Sequence, residues 1–227
     1  GRYRGEPIGN GRYSDITVFR FHPVKIITTG EGGLAVTNDD GLAERMDLLR
    51  SHGITRDPER MTAQPDGPWY YQQVELGFNY RMTELQAALG VSQLDRLDEY
   101  VARRNALAAR YDDLLADLPL TGPWQHPDSY SGRHLYVIRL DLDRSPSSHR
   151  QIFEALRSQG IGVNLHYIPV HLHPYYRRRF GYQRGDYPVA ENAYDRLITL
   201  PLYPAMTHQD VQDVIEATRK VFEHFTS

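Results

Sequence analysis

The sequence predicts an α/β fold arranged as two bodies, and three observations carry that prediction. Short runs of β-branched and aromatic residues alternate with stretches whose apolar residues recur at helical spacing. Three helix starts are written as a hydroxyl residue followed three positions later by a capping partner: Thr83 with Gln86, Ser148 with Gln151, and Thr207 with Asp210. Finally, an apolar stripe through Leu85, Leu89, Leu94, Leu97, Val101, Leu107, Tyr111, Leu114 and Leu118 predicts one helix over residues 83–117. At 1.5 Å per residue it would span about 50 Å, a length that joins two bodies. The first body is placed at residues 1–100, including the start of that helix, and the second, smaller α/β body at 101–227.

The elements follow in chain order. Residues 1–14 are glycine- and arginine-rich and read as an irregular lead-in. Ile16 to Phe19 form a short strand whose ladder must end before Pro23, because proline has no N–H to donate. Leu34 to Thr37 form a second strand, and the N-D-D-G turn at 38–41 caps a helix over about residues 42–51 that Gly53 stops. Three prolines between Arg56 and Tyr71 make that stretch a loop. Beyond the long helix, His134 to Leu142 and Ile161 to Leu165 read as strands, Ser148 to Gln159 as a helix, and Thr207 to Phe225 as a closing amphipathic helix. His171 to Asp186 lacks apolar periodicity and reads as an ordered surface excursion.

Composition narrows the function classes. The 227 residues are 40% hydrophobic, enough for a real core. A formal charge of −3 disfavours nucleic acid or an anionic membrane as the principal partner. The absence of cysteine excludes disulfides and thiolate chemistry and fits a reducing compartment, so a cytoplasmic location is expected. No apolar run approaches the roughly 20 residues of a membrane span. The opening Gly1 and a lead-in that runs at once into the first strand point to N-terminal truncation.

Lysine occurs only at positions 25 and 220 among 26 basic residues. A chain that meets its need for positive charge with arginine keeps lysine where an amine is required, and a Schiff base is one such use. Lys25 lies just past a strand end, the rim where ligands collect in open α/β sheets, among glycines at 30, 32 and 33. The plainer alternative is a rim lysine that snorkels to water. At the other end of the chain, H-x4-H-x-H at His166, His171 and His173 has a spacing that could suggest zinc, but no acidic residue or cysteine stands beside it in sequence, so no metal is expected.

The string F-x-F-H-P-V-K followed by T-G-E-G-G resembles the lysine segment of the DegT/DnrJ/StrS family of pyridoxal-phosphate sugar aminotransferases. So do, in register, S-H-G-I-T-R-D at 51–57, L-G-F-N-Y-R-M-T-E-L-Q-A-A-L at 76–89, G-I-G-V-N-L-H-Y-I-P-V-H-L at 160–172 and L-P-L-Y-P-A-M-T at 200–207. The likeness is greatest to the branch that aminates a UDP-linked 4-keto-6-deoxy-N-acetylhexosamine on the way to pseudaminic acid. It implies a type I PLP-dependent transferase fold, represented here by the C-terminal part of the large domain plus the small domain. It also implies pyridoxal 5′-phosphate as cofactor, glutamate as amino donor and a homodimer with a shared active site.

Residue by residue, the resemblance implies that Lys25 bonds the cofactor and moves the proton. Its retention favours transamination, since relatives with histidine there are sugar dehydratases. Asn79 would reach the partner's cofactor phosphate, with Arg81 beside it near the same anionic region; the plainer reading of Asn79 is a turn residue. Arg20 stands where the family usually has a phosphate-binding serine. It is either a charge-assisted donor to that phosphate or a departure incompatible with the cofactor. His166, with Tyr167, is implied in nucleotide-sugar contact, as are His171 and Tyr175; aromatic loop packing is the alternative. His22 would lie near substrate, Arg177 to Arg179 would meet a diphosphate or form a solvated face, and Glu31 would hydrogen-bond within its loop. The rival function is a non-catalytic member that keeps only a sugar-nucleotide-binding or dimerisation role.

Overall fold

A computed structural model describes residues 1–226, with side chains to 225; Ser227, the last residue of the predicted second body, lies outside them. The chain divides into two compact units, Gly1–Leu97 with Asp128–Tyr130, and Asp98–Pro127 with the remainder from Ser131.

In the first unit the lead-in is not irregular. Strands β1 (Arg2–Tyr3) and β2 (Glu6–Pro7) form a small hairpin, and β1 also pairs with β8 (Ser129–Tyr130). Strands β3 (Thr17–Arg20) and β4 (Gly33–Val36) pair antiparallel from Thr17↔Val36 to Arg20↔Gly33. Helix α1 (Asp40–Arg50) starts where Asp39 accepts the Leu42 N–H, the side-chain cap that the N-D-D-G turn predicted. Beyond it, β5 (Ile54–Thr55) pairs with β6 (Gln72–Gln73) across the proline-rich loop. Helix α2 (Glu84–Leu94) opens on the full Thr83–Gln86 capping box.

The single long helix over 83–117 is an expectation the structure corrects. The helix stops at Leu94, turns through Asp95 and Arg96 with an Arg96 N–H to Gln93 carbonyl bond of 3.2 Å, and restarts as α3 (Leu97–Leu114). Aspartate is a poor interior residue because its carboxylate competes for nearby backbone donors. The apolar stripe also jumps there, from Leu89 to Leu94, and its two halves have different fates. Leu85, Leu89 and Leu94 are exposed, whereas Val101, Leu107 and Tyr111 of α3 are buried.

In the second unit a three-stranded antiparallel sheet runs in the order β10 (Leu197–Leu200), β9 (Tyr136–Leu140), β7 (Leu120–Thr121). Alternation puts Tyr136, Ile138 and Leu140 of β9 in the core, where they meet Ile152 and Leu156 of α4 (His149–Ser158), α3, and Val211, Ile215 and Phe222 of α7 (His208–Thr226). Two tyrosines sit wholly inside and keep their hydroxyls bonded, Tyr111 to the Pro201 carbonyl at 2.9 Å and Tyr136 to Asp112 Oδ1 at 2.7 Å. Burial, reinforced for Tyr136 by the Asp112 carboxylate, holds both phenols well above their ordinary range. Arg104 is also buried, and its Nη1 donates to the carbonyls of Arg133, His134 and Leu202; desolvation lowers its pKa.

Two further expectations change here. The strand over 161–165 shrinks to one bridge, Asn164↔Thr199, because the Val163 N–H turns back to the Ile161 carbonyl at 2.8 Å and takes the chain out of extended geometry. The excursion over 171–186 contains a helix, α5 (Pro174–Phe180), with proline at its start and Gly181 as a left-handed cap at φ 75°. A second short helix, α6 (Pro188–Tyr194), follows.

Candidate active site

The first unit presents Lys25 on the loop that joins β3 to β4. The ladder ends at Arg20, short of Pro23, and one more bond, Phe21 N–H to the Gly32 carbonyl at 2.9 Å, closes the neck of the loop. The Phe21 carbonyl accepts both the Thr29 N–H and the Thr28 hydroxyl at 3.0 Å. Ile27 and Thr29 are buried and anchor the loop. Lys25 N–H donates to the His22 carbonyl at 2.9 Å, so the half-buried lysine sits on a turn. Gly30 is left-handed at φ 82°, and a Cβ on Gly32 would lie 2.4 Å from the Thr29 hydroxyl; these are the positions where the loop needs glycine.

His22 faces Glu31 across this loop. Its Nδ1 accepts the Val24 N–H at 3.4 Å, which leaves Nε2 to carry the proton, and Nε2 lies 3.7 Å from the exposed Glu31 carboxylate. Arg20, the last residue of β3, is exposed on the same face as Val18.

Helix α2 clasps the loop from one side. Gln86 accepts from Thr83 through Oε1 as the helix cap and donates from Nε2 to the Glu31 carbonyl at 3.0 Å. One turn on, Gly90 stands so close to Thr29 that a Cβ would lie 2.9 Å from the threonine methyl.

Asn79 and Arg81 lie on a separate segment of the same unit, held to the end of α1. Phe78 N–H bonds the Leu49 carbonyl at 2.7 Å, Tyr80 N–H bonds that of Arg50 at 3.0 Å, and Ser51 bridges Asn79. The rings of Phe78 and Tyr80 stack at 4.9 Å, so the exposed Asn79 between them points to the other side. Two motif glycines make this crossing possible. A Cβ on Gly53, at φ 68°, would fall 1.9 Å from the Glu75 carbonyl oxygen, and one on Gly77 would fall 2.2 Å from the Gly53 nitrogen. The S-H-G and L-G-F-N blocks are thus the two sides of one backbone contact.

A cavity of about 690 Å³ also opens in this unit, lined by Val18, Leu34, Val36, Met46, Leu49 and Phe78 among others, and Lys25 is not part of it. Its lining is mainly hydrocarbon, unsuited to an anionic cofactor.

In the second unit, His166 is anchored at the edge of β10, with Nδ1 2.8 Å from the Thr199 hydroxyl, and Tyr167 beside it is exposed. Tyr175 is exposed on α5, edge-on to Tyr176, and Arg177 to Arg179 are exposed on the same helix. His171 is not disposed as the resemblance implied. It is buried, its Nε2 donates to Glu191 Oε1 at 2.8 Å, and Tyr187 packs on its ring at 4.7 Å, so that nitrogen is committed to the interior. Glu191 also accepts the Gly185 N–H at 2.8 and 2.9 Å and the Tyr187 N–H at 3.3 Å. Burial works to raise the Glu191 pKa, but the bonds from His171, Gly185 and Tyr187 outweigh it and hold the carboxyl below its ordinary range. An acidic partner therefore does stand beside His171, from twenty positions further on. Even so, no cluster of three metal-ligating side chains occurs among the described residues, and no helix there is long and apolar enough to cross a membrane. Gln86, Thr199 and Glu191 escaped sequence reasoning; only Gln86 left a signal, its place in the capping box.

The model of the DegT/DnrJ/EryC1/StrS aminotransferase family matches residues 1–219. The chain belongs to this family. SpsC, a spore coat polysaccharide biosynthesis protein of Bacillus subtilis, is 40% identical over 213 residues, covering 93% of this chain and 54% of SpsC. Among solved structures, Helicobacter pylori PseC, an aminotransferase involved in the biosynthesis of pseudoaminic acid, superposes with a TM-score of 0.84 at 32% identity, covering 98% of this chain and 57% of PseC. Spr1654 of Streptococcus pneumoniae in its PMP form gives 0.87 at 32% identity, with coverages of 99% and 56%. The chain thus spans a little over half the length of these DegT/DnrJ/EryC1/StrS relatives. Family members are PLP-dependent sugar aminotransferases of mixed α/β fold, and the relatives include PLP and PMP forms.

Proposed function

We propose that this chain is the lysine-bearing part of a PLP-dependent aminotransferase that aminates a UDP-linked 4-keto-6-deoxy-N-acetylhexosamine, with glutamate as donor, in the cytoplasm. On this reading residues 1–100 are the C-terminal part of the large cofactor domain and 101–227 the small domain. The observation that carries it is a lysine, one of two in the chain, held on a hydrogen-bonded loop at a strand end within a family whose members use PLP.

The residues fit the cofactor. Lys25 offers an amine on an ordered turn and Arg20 a cation at an exposed strand end suited to the phosphate, while Asn79 offers an amide on an exposed, backbone-fixed position suited to the phosphate of a partner's cofactor. Pyridoxal phosphate, when bound, supplies the electron sink for bond changes at the amine-bearing carbon. Lys25 would hold it through Nζ, and that same nitrogen, when no longer bonded to the cofactor, would carry the proton; His22, beside Glu31, lies in the same loop to orient the sugar. Across a homodimer Asn79 serves the partner's phosphate, with Arg81 next to it. His166, Tyr167 and Tyr175 contact the nucleotide sugar; His171, bound to Glu191, shapes their loop without touching it.

The test is reduction of the protein with borohydride in the presence of PLP, followed by peptide mapping. The expected adduct falls on Lys25 and is lost in K25A. Labelling of Lys220 to the same extent, or none at all, would overturn the reading in favour of a non-catalytic sugar-nucleotide-binding or dimerisation module, a rival kept open because the chain spans little more than half of its relatives.

A further inference from the structure

We infer that Gln86 is a positioning residue for the Lys25 loop, and that the amide is needed there because it serves two masters at once. The inference rests on the proposed role of Lys25. Through Oε1, Gln86 accepts from the Thr83 N–H at 3.0 Å and the Thr83 hydroxyl at 3.1 Å, while its own N–H donates back to that hydroxyl at 3.3 Å. These are the reciprocal bonds of a capping box, in which glutamate performs as well as glutamine. The other end of the side chain does something no cap requires. Nε2 donates at 3.0 Å to the carbonyl of Glu31, in the loop that carries Lys25.

That carbonyl is the loop's fastening point. It also accepts the hydroxyl of Thr29 at 2.7 Å, and Thr29 is buried with its N–H on the Phe21 carbonyl at 3.0 Å. The loop is met twice more from this side: Gly90 of the same helix approaches the Thr29 methyl, and Met82, just ahead of the Thr83 cap, brings its methyl within 2.7 Å of where a Cβ on Gly32 would sit. A side chain fixed at one end by the rigid first turn of α2 therefore holds the loop by its second end. Lys25 sits between the closed neck at Phe21 and this fastening. Loss of the Nε2 bond frees the return limb of the loop and widens the range of positions open to the amine.

The dual role makes the inference separable from helix capping. Gln86→Glu keeps the acceptor that Thr83 uses and suits the positive end of the helix, yet it sets a carboxylate oxygen against the Glu31 carbonyl. Gln86→Met loses both functions. In the full protein, amide hydrogen exchange at Phe21, Thr29 and Gly30 is expected to rise about five- to tenfold in Q86E, the loss of about one hydrogen bond, while exchange within α2 stays at the wild-type level. The rate of borohydride-trapped PLP adduct at Lys25 should fall in the same variant, with labelling at Lys220 unchanged. If Q86E matches wild type in loop exchange and only Q86M departs from it, Gln86 is a cap alone and the inference is overturned. If wild type itself forms no adduct while Q86E still loosens the loop, the proposed function fails and the positioning role stands.

Discussion

Gly53 offers the sharpest test of how the motif blocks hold together, because the chain supplies its own control. Gly53 and Gly30 both lie in the first unit and both are left-handed, at φ 68° and 82°. An alanine at Gly30 would meet nothing within 4 Å, so Gly30→Ala carries only the left-handed penalty of about 1–2 kcal/mol. An alanine at Gly53 would place its methyl 1.9 Å from the Glu75 carbonyl oxygen, a backbone atom that cannot swing aside. Relief requires the two segments to separate, which sacrifices the bonds from Val74 N–H at 2.9 Å and Glu75 N–H at 3.3 Å to the Gly53 carbonyl. At about 1 kcal/mol each these bring the total for Gly53→Ala to about 3–4 kcal/mol. Urea denaturation followed by hydrogen exchange in peptides of the first unit measures both variants. Equal losses for the two would refute the claim that a backbone crossing, rather than backbone conformation, makes glycine necessary in the S-H-G block.

Three other outcomes are expected. Because Glu191 is held below its ordinary value, its contribution is complete above about pH 4.5 and is lost as pH falls through the lowered value; acid titration of the tyrosine near-UV circular dichroism should lose that step in Glu191→Gln. Leu107→Ala, in the core, should cost about 2–5 kcal/mol, whereas Leu85→Ala, exposed on α2, should fall within about 0.5 kcal/mol, both read from thermal unfolding. Tyr136→Phe removes the donor to Asp112 and should cost about 1–2 kcal/mol in the same measurement.

What was legible in the sequence was local. The strand before Lys25, its end ahead of Pro23, the Asp39 cap and the three hydroxyl-led helix starts each depend on residues a few positions apart. The loop around Lys25 belongs to the same class, since most of its bonds join residues 21–32. Long-range partnerships left no such trace. His171 read as a ligand-facing histidine because Glu191, which takes its proton-bearing nitrogen into the interior, is twenty positions away. The leucine stripe read as one helix because periodicity records which residues are apolar but not where they are buried; the turn at Asp95 and Arg96 separates an exposed row from a core row. Helix α5 was missed for a different reason. Its arginines and tyrosines carry no apolar rhythm, although Pro174 and Gly181 mark both ends.

The scarcity of lysine has a practical corollary. Lys220 lies on the exposed side of α7, open to water, while Lys25 sits half-buried in its fastened turn. Any reagent that seeks side-chain amines therefore meets one exposed amine and one in a shaped setting, on the same polypeptide and at equal concentration. The ratio of modification at the two sites is an internal gauge of the environment around Lys25, independent of protein quantity or reagent decay.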